Sequence, residues 1–333
     1  MPYNCGMTTH IALNDMIEAL ATKFGASTVA TRDVCHFIEE IGQRPNRYLA
    51  DLREYYSVGH GQMRFVNVES ETPVFETKKT VVESDAAIEK RINARFNALE
   101  VMSRATAKGI NRAMILSGPA GVGKSHTVEQ VAEEVCGDFT HVKGYIRPTG
   151  LYKTLWENRH PGKLVVFDDA DSIFSDETSL NLLKAACDSS DARKIGWLSN
   201  SIMEDDAGEE IPKNFEFEGS IIFITNIDFA AQIEKGSKLA PHFEAMVSRS
   251  MYLDLSIKQK RDYIVRIKQV MNAGMMDEML LPDEKAEIIE FMEQNMDQMR
   301  ELSLRMAKKL ATLMLMDKKT WKDLASMTCM KNS

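Results

Sequence analysis

The chain has 333 residues, 44% hydrophobic and 27% charged, with only 9 Pro and 18 Gly, which excludes a single small module and any disordered or collagen-like polymer. A formal charge of -8 excludes a whole-molecule positive field for nucleic acid, so any DNA contact must be local. The five cysteines (Cys5, Cys35, Cys136, Cys187, Cys329) stand far apart, without CxxC or zinc spacing, and read as reduced thiols.

No apolar run approaches the ~20 residues that cross a bilayer, and the opening MPYNCGMTTH lacks the charged and apolar regions of a signal peptide. The expectation is a soluble cytoplasmic protein with no membrane partner. From Ile11 to Gly25 apolar residues recur at helical spacing, and a second helical stretch runs from Thr31 to Ile41. A break at Gln43–Asn46 precedes a third helix over Arg47–Tyr55, followed by a glycine turn and a strand. These elements predict an N-terminal accessory domain over 1–65 in the order of a winged helix-turn-helix, with Arg44, Asn46, Arg47 and Arg53 where a recognition helix lies. Six Lys or Arg against seven Asp or Glu in that span weigh against DNA and favour a protein-docking or oligomerising domain. Residues 66–85 are polar without helical period and read as a linker.

A charged amphipathic helix over Ala86–Lys108 stops at Gly109. The short apolar runs AMILS (113–117), KLVVF (163–167) and SIIFIT (220–225), separated by helical patterns, predict buried parallel strands and an α/β core over 86–255. Beyond Ser256 the apolar period is helical, interrupted only at Gly274 and Pro282, which predicts a helical lid subdomain and tail over 256–333.

The first run leads into Gly118, Pro119, Ala120, Gly121, Val122, Gly123, Lys124 and Ser125, a full match to GxxxxGK[ST] between a strand and the helix opening at His126. Backbone N–H groups of such a loop surround a β-phosphate, Lys124 reaches the β- and γ-phosphates, and the Ser125 hydroxyl ligates Mg²⁺. The second run ends in Asp168 and Asp169 at a strand end, where open α/β sheets bind ligands. Asp168 fits the Mg²⁺ carboxylate, and Asp169 fits the group that polarises an attacking water, with Asp171 the next candidate.

On these motifs the chain resembles the AAA+ ATPases over roughly residues 86–326, and also looks like the ATPases carried by bacteriophages and plasmids. The resemblance implies an α/β parallel-sheet core, ATP and Mg²⁺ as cofactors, and a ring homo-oligomer, a hexamer, with ATP between subunits. It also implies that Asn226, ending the third strand, positions the water. Arg249, in the sequence VSRSMYLDL, would be the finger reaching a neighbour, with Arg193 or Arg305 the alternative charge donors. Arg305 would be the second sensor on a lid helix, although Ser303 stands where the family has glycine and Asp169 where it commonly has Glu. The segments KIGWLS (194–199) and FEFEG (215–219) look like a β-hairpin with an acidic tip inserted before the third strand. Tyr145, Arg147, Tyr152 and Lys153 fall where the family carries a channel-facing, substrate-gripping loop, although aromatics near a helix start more often belong to the core. Three readings of the work remain: a DNA-acting motor or loader, a remodeller threading a protein, or a nucleotide-gated scaffold with little turnover.

Overall fold

The computed structural model describes residues 13–25, 27–59, 61–65, 83–198, 202–205, 208–257 and 259–331. The chain divides into two compact units between residues 82 and 83. In the first unit α1 (Leu13–Phe24), β1 (Thr28–Ala30), α2 (Thr31–Glu40), α3 (Leu49–Tyr56), β2 (Ser57–Gly59) and β3 (Gln62–Arg64) follow in order. The strands form an antiparallel sheet in the order β1-β3-β2. Met16, Leu20, Ile38, Leu52, Met63 and Phe65 close the core beneath it. The sequence pattern predicts one strand here; β1 and β2 are three residues each, too short for alternation to register. The third helix begins at Leu49 and not at Arg47, because Pro45–Arg47 form a separate 3-10 turn. Of the linker read over 66–85, residues 66–82 lie outside the described residues.

The second unit opens with α4 (Asp85–Ala107), whose first turn is capped by Ser84 accepting the Ala87 N–H at 3.3 Å. Five parallel strands follow: β4 (Ala113–Ser117), β5 (Thr140–Lys143), β6 (Leu164–Asp168), β11 (Ser220–Thr225) and β12 (Met251–Asp254). Their order is β12-β4-β11-β6-β5, so the three fully buried strands, which are the apolar runs of the sequence, lie in the centre. The sequence pattern does not show strand β5, since THVK on the sheet edge is mostly half-buried and carries no apolar run.

Helix α5 (Lys124–Cys136) joins α4 on one face, closing a core of Leu99, Leu116, Val128, Leu164 and Ile222. The other face carries α6 (Pro148–Glu157), α7 (Glu177–Ala186), α8 (Phe229–Glu234) and α9 (Ala240–Arg249) over a core rich in aromatics, among them Phe167, Phe174, Phe223 and Phe229. Between α7 and β11 stands the expected hairpin in two stages. Lys194–Gly196 (β7) pairs antiparallel with Asn214–Glu216 (β10), and Met203–Glu204 (β8) with Glu210–Ile211 (β9). Residues 199–201 and 206–207 within it lie outside the described residues.

Four helices end the chain, α10 (Lys260–Asn272), α11 (Pro282–Gln294), α12 (Leu304–Met316) and α13 (Trp321–Cys329), around their own core of Met271, Ile288, Met292, Leu310 and Trp321. Three breaks separate them: 273–281, which Gly274 and Pro282 mark, and 295–303 and 317–320, which the apolar period does not show; Met299 inside 295–303 is itself buried.

Candidate functional site: the phosphate loop and its lid

The buried strand β4 delivers the chain to Gly118, Gly121 and Gly123, with φ of 147°, 72° and 102°, before α5 begins at Lys124. Left-handed backbone at these positions turns successive N–H groups toward one concavity, the arrangement that receives phosphate at a helix N-terminus. Space enforces glycine as strongly as φ does. A Cβ on Gly118 would stand 3.1 Å from the backbone of Leu255, and one on Gly121 would stand 2.7 Å from Cβ of Ser303.

Lys124 is only 5% exposed. Its Nζ donates to the Gly118 carbonyl, to the Pro119 carbonyl at 2.9 Å and to Oδ1 of Asn226 at 3.0 Å. Burial pushes its ammonium down to about 8, with the Asp169 and Asp168 carboxylates acting against that shift. Asn226, one residue past β11, uses its Nδ2 to donate to Oδ1 of Asp169 at 2.9 Å. Lys124, Asn226 and Asp169 thus form one hydrogen-bonded chain from the loop to the carboxylate.

Asp168 ends β6 and is 4% exposed; the Ser125 hydroxyl donates to its Oδ1 at 2.8 Å. A hydroxyl and a carboxylate side by side are hard oxygen ligands of the kind Mg²⁺ takes, so these two residues fit the ion. The other oxygen, Oδ2, faces Nζ of Lys143 at 3.4 Å and Nε2 of His141 at 3.5 Å. Lys143 also reaches Glu129 at 2.9 Å. His141 and Lys143 sit on β5 opposite Val166 and Asp168, so the sheet register, invisible to a linear motif, brings them to the carboxylate. Asp171 is engaged otherwise: it accepts the Thr225 hydroxyl at 2.6 Å, and burial lifts its carboxyl above the ordinary range.

The lid helices close directly on the loop. The Leu304 N–H donates to the Gly121 carbonyl at 2.8 Å, and Ser303 caps α12 by accepting the Met306 N–H at 3.0 Å. Arg305 follows, its Cγ 3.7 Å from where a Cβ on Gly121 would lie, and its charge lowers the Lys124 ammonium further. From α10, Arg266 donates through Nε to the Val122 carbonyl at 3.2 Å, a contact with no sequence signature. Arg249 ends α9; it donates to the Ala245 carbonyl at 3.0 Å and lies 3.5 Å from the Asp188 carboxylate, contacts that leave the phosphate loop of its own chain untouched.

One sequence expectation changes here, for Arg193, and the core alternative holds for Tyr152. Arg193 is buried, donates to the carbonyls of Ala186 at 3.0 Å and Gly219 at 2.9 Å, and so fastens the base of the hairpin instead of offering charge to a phosphate. Tyr152 belongs to the core: its ring packs on Phe215 and Trp197, and its hydroxyl donates to the Pro212 carbonyl at 2.9 Å. Tyr145 is 78% exposed and Arg147 is exposed, so the outward part of that segment is its beginning.

Over 252 residues the chain is 37% identical to an uncharacterized 36.7 kDa protein from the nrdC-mobD intergenic region of Enterobacteria phage T4, covering 74% of this chain and 77% of the phage protein. The chain belongs to the family of that phage protein. Its phosphate loop, paired strand-end carboxylates, parallel sheet and helical lid are the features on which it resembles the AAA+ ATPases. No protein-family model matches the sequence. Among solved structures, the RuvB Holliday junction branch migration motor of Thermotoga maritima is 14% identical, with 73% of this chain and 68% of that one covered and a TM-score of 0.39. Domain III of the replication initiation protein DnaA from the same organism is 12% identical, with 72% and 92% covered and a TM-score of 0.46. No described helix is long and apolar enough to cross a membrane.

Proposed function

We propose that this protein is a Mg²⁺-dependent ATPase that binds and hydrolyses ATP between the subunits of a ring, a hexamer, to drive a DNA-acting motor or loader. The observation that carries the ATPase reading is the continuous chain from Lys124 through Asn226 to Asp169, beside the Ser125–Asp168 pair. Bound Mg²⁺ would be held by Ser125 and Asp168 and would neutralise charge on the β- and γ-phosphates. The loop N–H groups and Lys124 orient the phosphates for in-line attack. Asp169 accepts a proton from the attacking water, while Asn226, bonded to both Lys124 and Asp169, fixes where that water sits. Arg249, free of its own loop, supplies charge to a neighbour's γ-phosphate, and Arg305 carries that of its own lid.

The DNA reading is favoured by the first unit. Its order of helices and strands is that of a winged helix, and its charge is segregated: residues 13–40 hold two Lys or Arg against five Asp or Glu, whereas 44–64 hold four arginines against two acids. Arg44, Arg47, Arg53 and Arg64 are all exposed, on or beside α3 and β3. A local excess of exposed arginine on an acidic chain is the kind of footprint that phosphate backbones need.

The test is ATP turnover with and without duplex DNA. The parent should hydrolyse ATP only with Mg²⁺ and faster with DNA; Lys124→Ala should lose tight ATP binding while staying folded. Turnover unchanged in Lys124→Ala would end the ATPase reading. Stimulation by an unfolded protein but not by DNA would move the substrate to the protein-remodelling alternative. Tight binding with turnover that neither raises would leave the nucleotide-gated scaffold.

A further inference from the structure

An arginine that acts on a neighbour's phosphate works best when it is placed before the subunits meet, because any freedom left to it is lost at the moment of reaction. Arg249 closes α9 and is already held within its own chain. Its Nη1 donates to the Ala245 carbonyl at 3.0 Å, in the last turn of the helix, where the helix dipole favours a cation. Its Nε lies 3.5 Å from Oδ2 of Asp188, the one acid within 4.0 Å of it among the described residues. Two of the three guanidinium nitrogens are thus engaged, and among the described residues the third, Nη2, has no partner.

Asp188 is itself anchored. It follows Cys187, the buried residue that ends α7. Its Oδ1 accepts the Ser190 N–H at 2.8 Å in a side-chain turn of the kind aspartate favours. Arg112 holds the same turn through Nη1, donating to the carbonyls of Asp188 at 2.8 Å and Ser190 at 2.6 Å, and the Ser190 hydroxyl donates to the Ala192 carbonyl at 3.1 Å. One carboxylate oxygen is therefore committed to the turn and the other faces Arg249. The hydrogen bonds from Ser190, and then the Arg249 guanidinium, hold the Asp188 carboxyl below the ordinary carboxylate range. Both side chains are partly exposed, and a pair of that kind adds little to stability. What it fixes is a position, since the acid is set by its turn and only the arginine side chain is ordered by the contact.

We propose that Asp188 is a positioning residue for phosphoryl transfer on the neighbouring subunit: with the Ala245 carbonyl it fixes the Arg249 guanidinium by Nε and Nη1 and leaves Nη2 for the γ-phosphate. The assignment rests on the reading of Arg249 as a finger between subunits. The effect of Asp188 then belongs to the subunit that lends the arginine and not to the one that holds the nucleotide.

ATP turnover and calorimetric ATP binding on the full chain test it. Asp188→Asn keeps an oxygen for the Ser190 N–H but sets a donor against the guanidinium. It should bind ATP within about twofold of the parent and, with KM unchanged, lose about 10- to 100-fold in kcat, the scale on which an ångström of misplacement acts. Asp188→Ser, whose hydroxyl also closes such a turn, serves if the asparagine variant fails to fold. Mixing then assigns the subunit. Arg249→Ala regains activity with Lys124→Ala, and should regain about 10- to 100-fold less when the Lys124→Ala chain also carries Asp188→Asn. Asp188→Asn placed on the Arg249→Ala chain instead should leave the regained activity as it was, which a merely structural role would not. A loss that follows the nucleotide-holding chain overturns the assignment, as does kcat unchanged in both variants. An Arg249→Ala variant as active as the parent, or one that Lys124→Ala never restores, would instead remove the finger reading beneath it.

Discussion

Replacing Gly121 by Ala tests how the lid and the loop are joined. The new Cβ would lie 2.7 Å from Cβ of Ser303, closer than carbon atoms approach without displacement, at a residue whose φ is 72°. Left-handed backbone costs a non-glycine residue about 1–2 kcal/mol. Overpacking adds about 1–3 kcal/mol, and the lower entropy of an unfolded alanine returns about 0.4–1 kcal/mol. The net destabilisation expected is about 2–4 kcal/mol, of which only the overpacking part involves Ser303. Ser303→Gly alone costs a few tenths of a kcal/mol at the cap of α12. Combined with Gly121→Ala it removes the clash and should recover about 1–3 kcal/mol, leaving the backbone cost. Urea unfolding of the four proteins gives this coupling energy directly, and ATP affinity measured in parallel should follow the same order. A double variant no more stable than Gly121→Ala would refute the steric argument, and so would a loss below about 0.5 kcal/mol in Gly121→Ala itself.

Asp169→Asn should bind ATP like the parent and lose turnover, as single-turnover hydrolysis would report; full activity would move the catalytic carboxylate elsewhere. Arg249→Ala should bind ATP normally and hydrolyse it poorly, by up to the ~10³ to 10⁵ fold that such fingers supply. Its activity should return on mixing with Lys124→Ala, and mixing that restores nothing would exclude a finger acting between subunits. Tyr152→Ala should lower the melting temperature through about 3–5 kcal/mol of lost packing, as for other large aromatics, without a selective effect on polymer binding; a stable variant that lost only DNA or protein binding would return Tyr152 to a gripping role.

What the sequence disclosed about the site is what lies contiguous in it. The glycine loop, Ser125, and the carboxylates after an unbroken apolar run are read along a single stretch of chain each, and the hydrogen bonds from Ser125 to Asp168 and from Asn226 to Asp169 bring them together. His141, Lys143 and Arg266 were illegible for the opposite reason: they reach the site through strand register or helix packing, across more than 20 residues of chain. Tyr152 stays open between channel and core in the sequence because a tyrosine near a helix start looks alike whichever it faces. The neighbour that decides it, Phe215, lies across an inserted hairpin.

Asp169 is one of two non-glycine residues among those described whose φ is positive, at 52°. Aspartate is among the few residues that visit that region readily, whereas the longer glutamate is not enriched there. The shorter carboxylate and the backbone that carries it are therefore a matched pair. Glutamate in place of Asp169 would carry the same left-handed backbone at a cost of about 1–2 kcal/mol, so the exchange is best tolerated together with a change in the backbone just after β6.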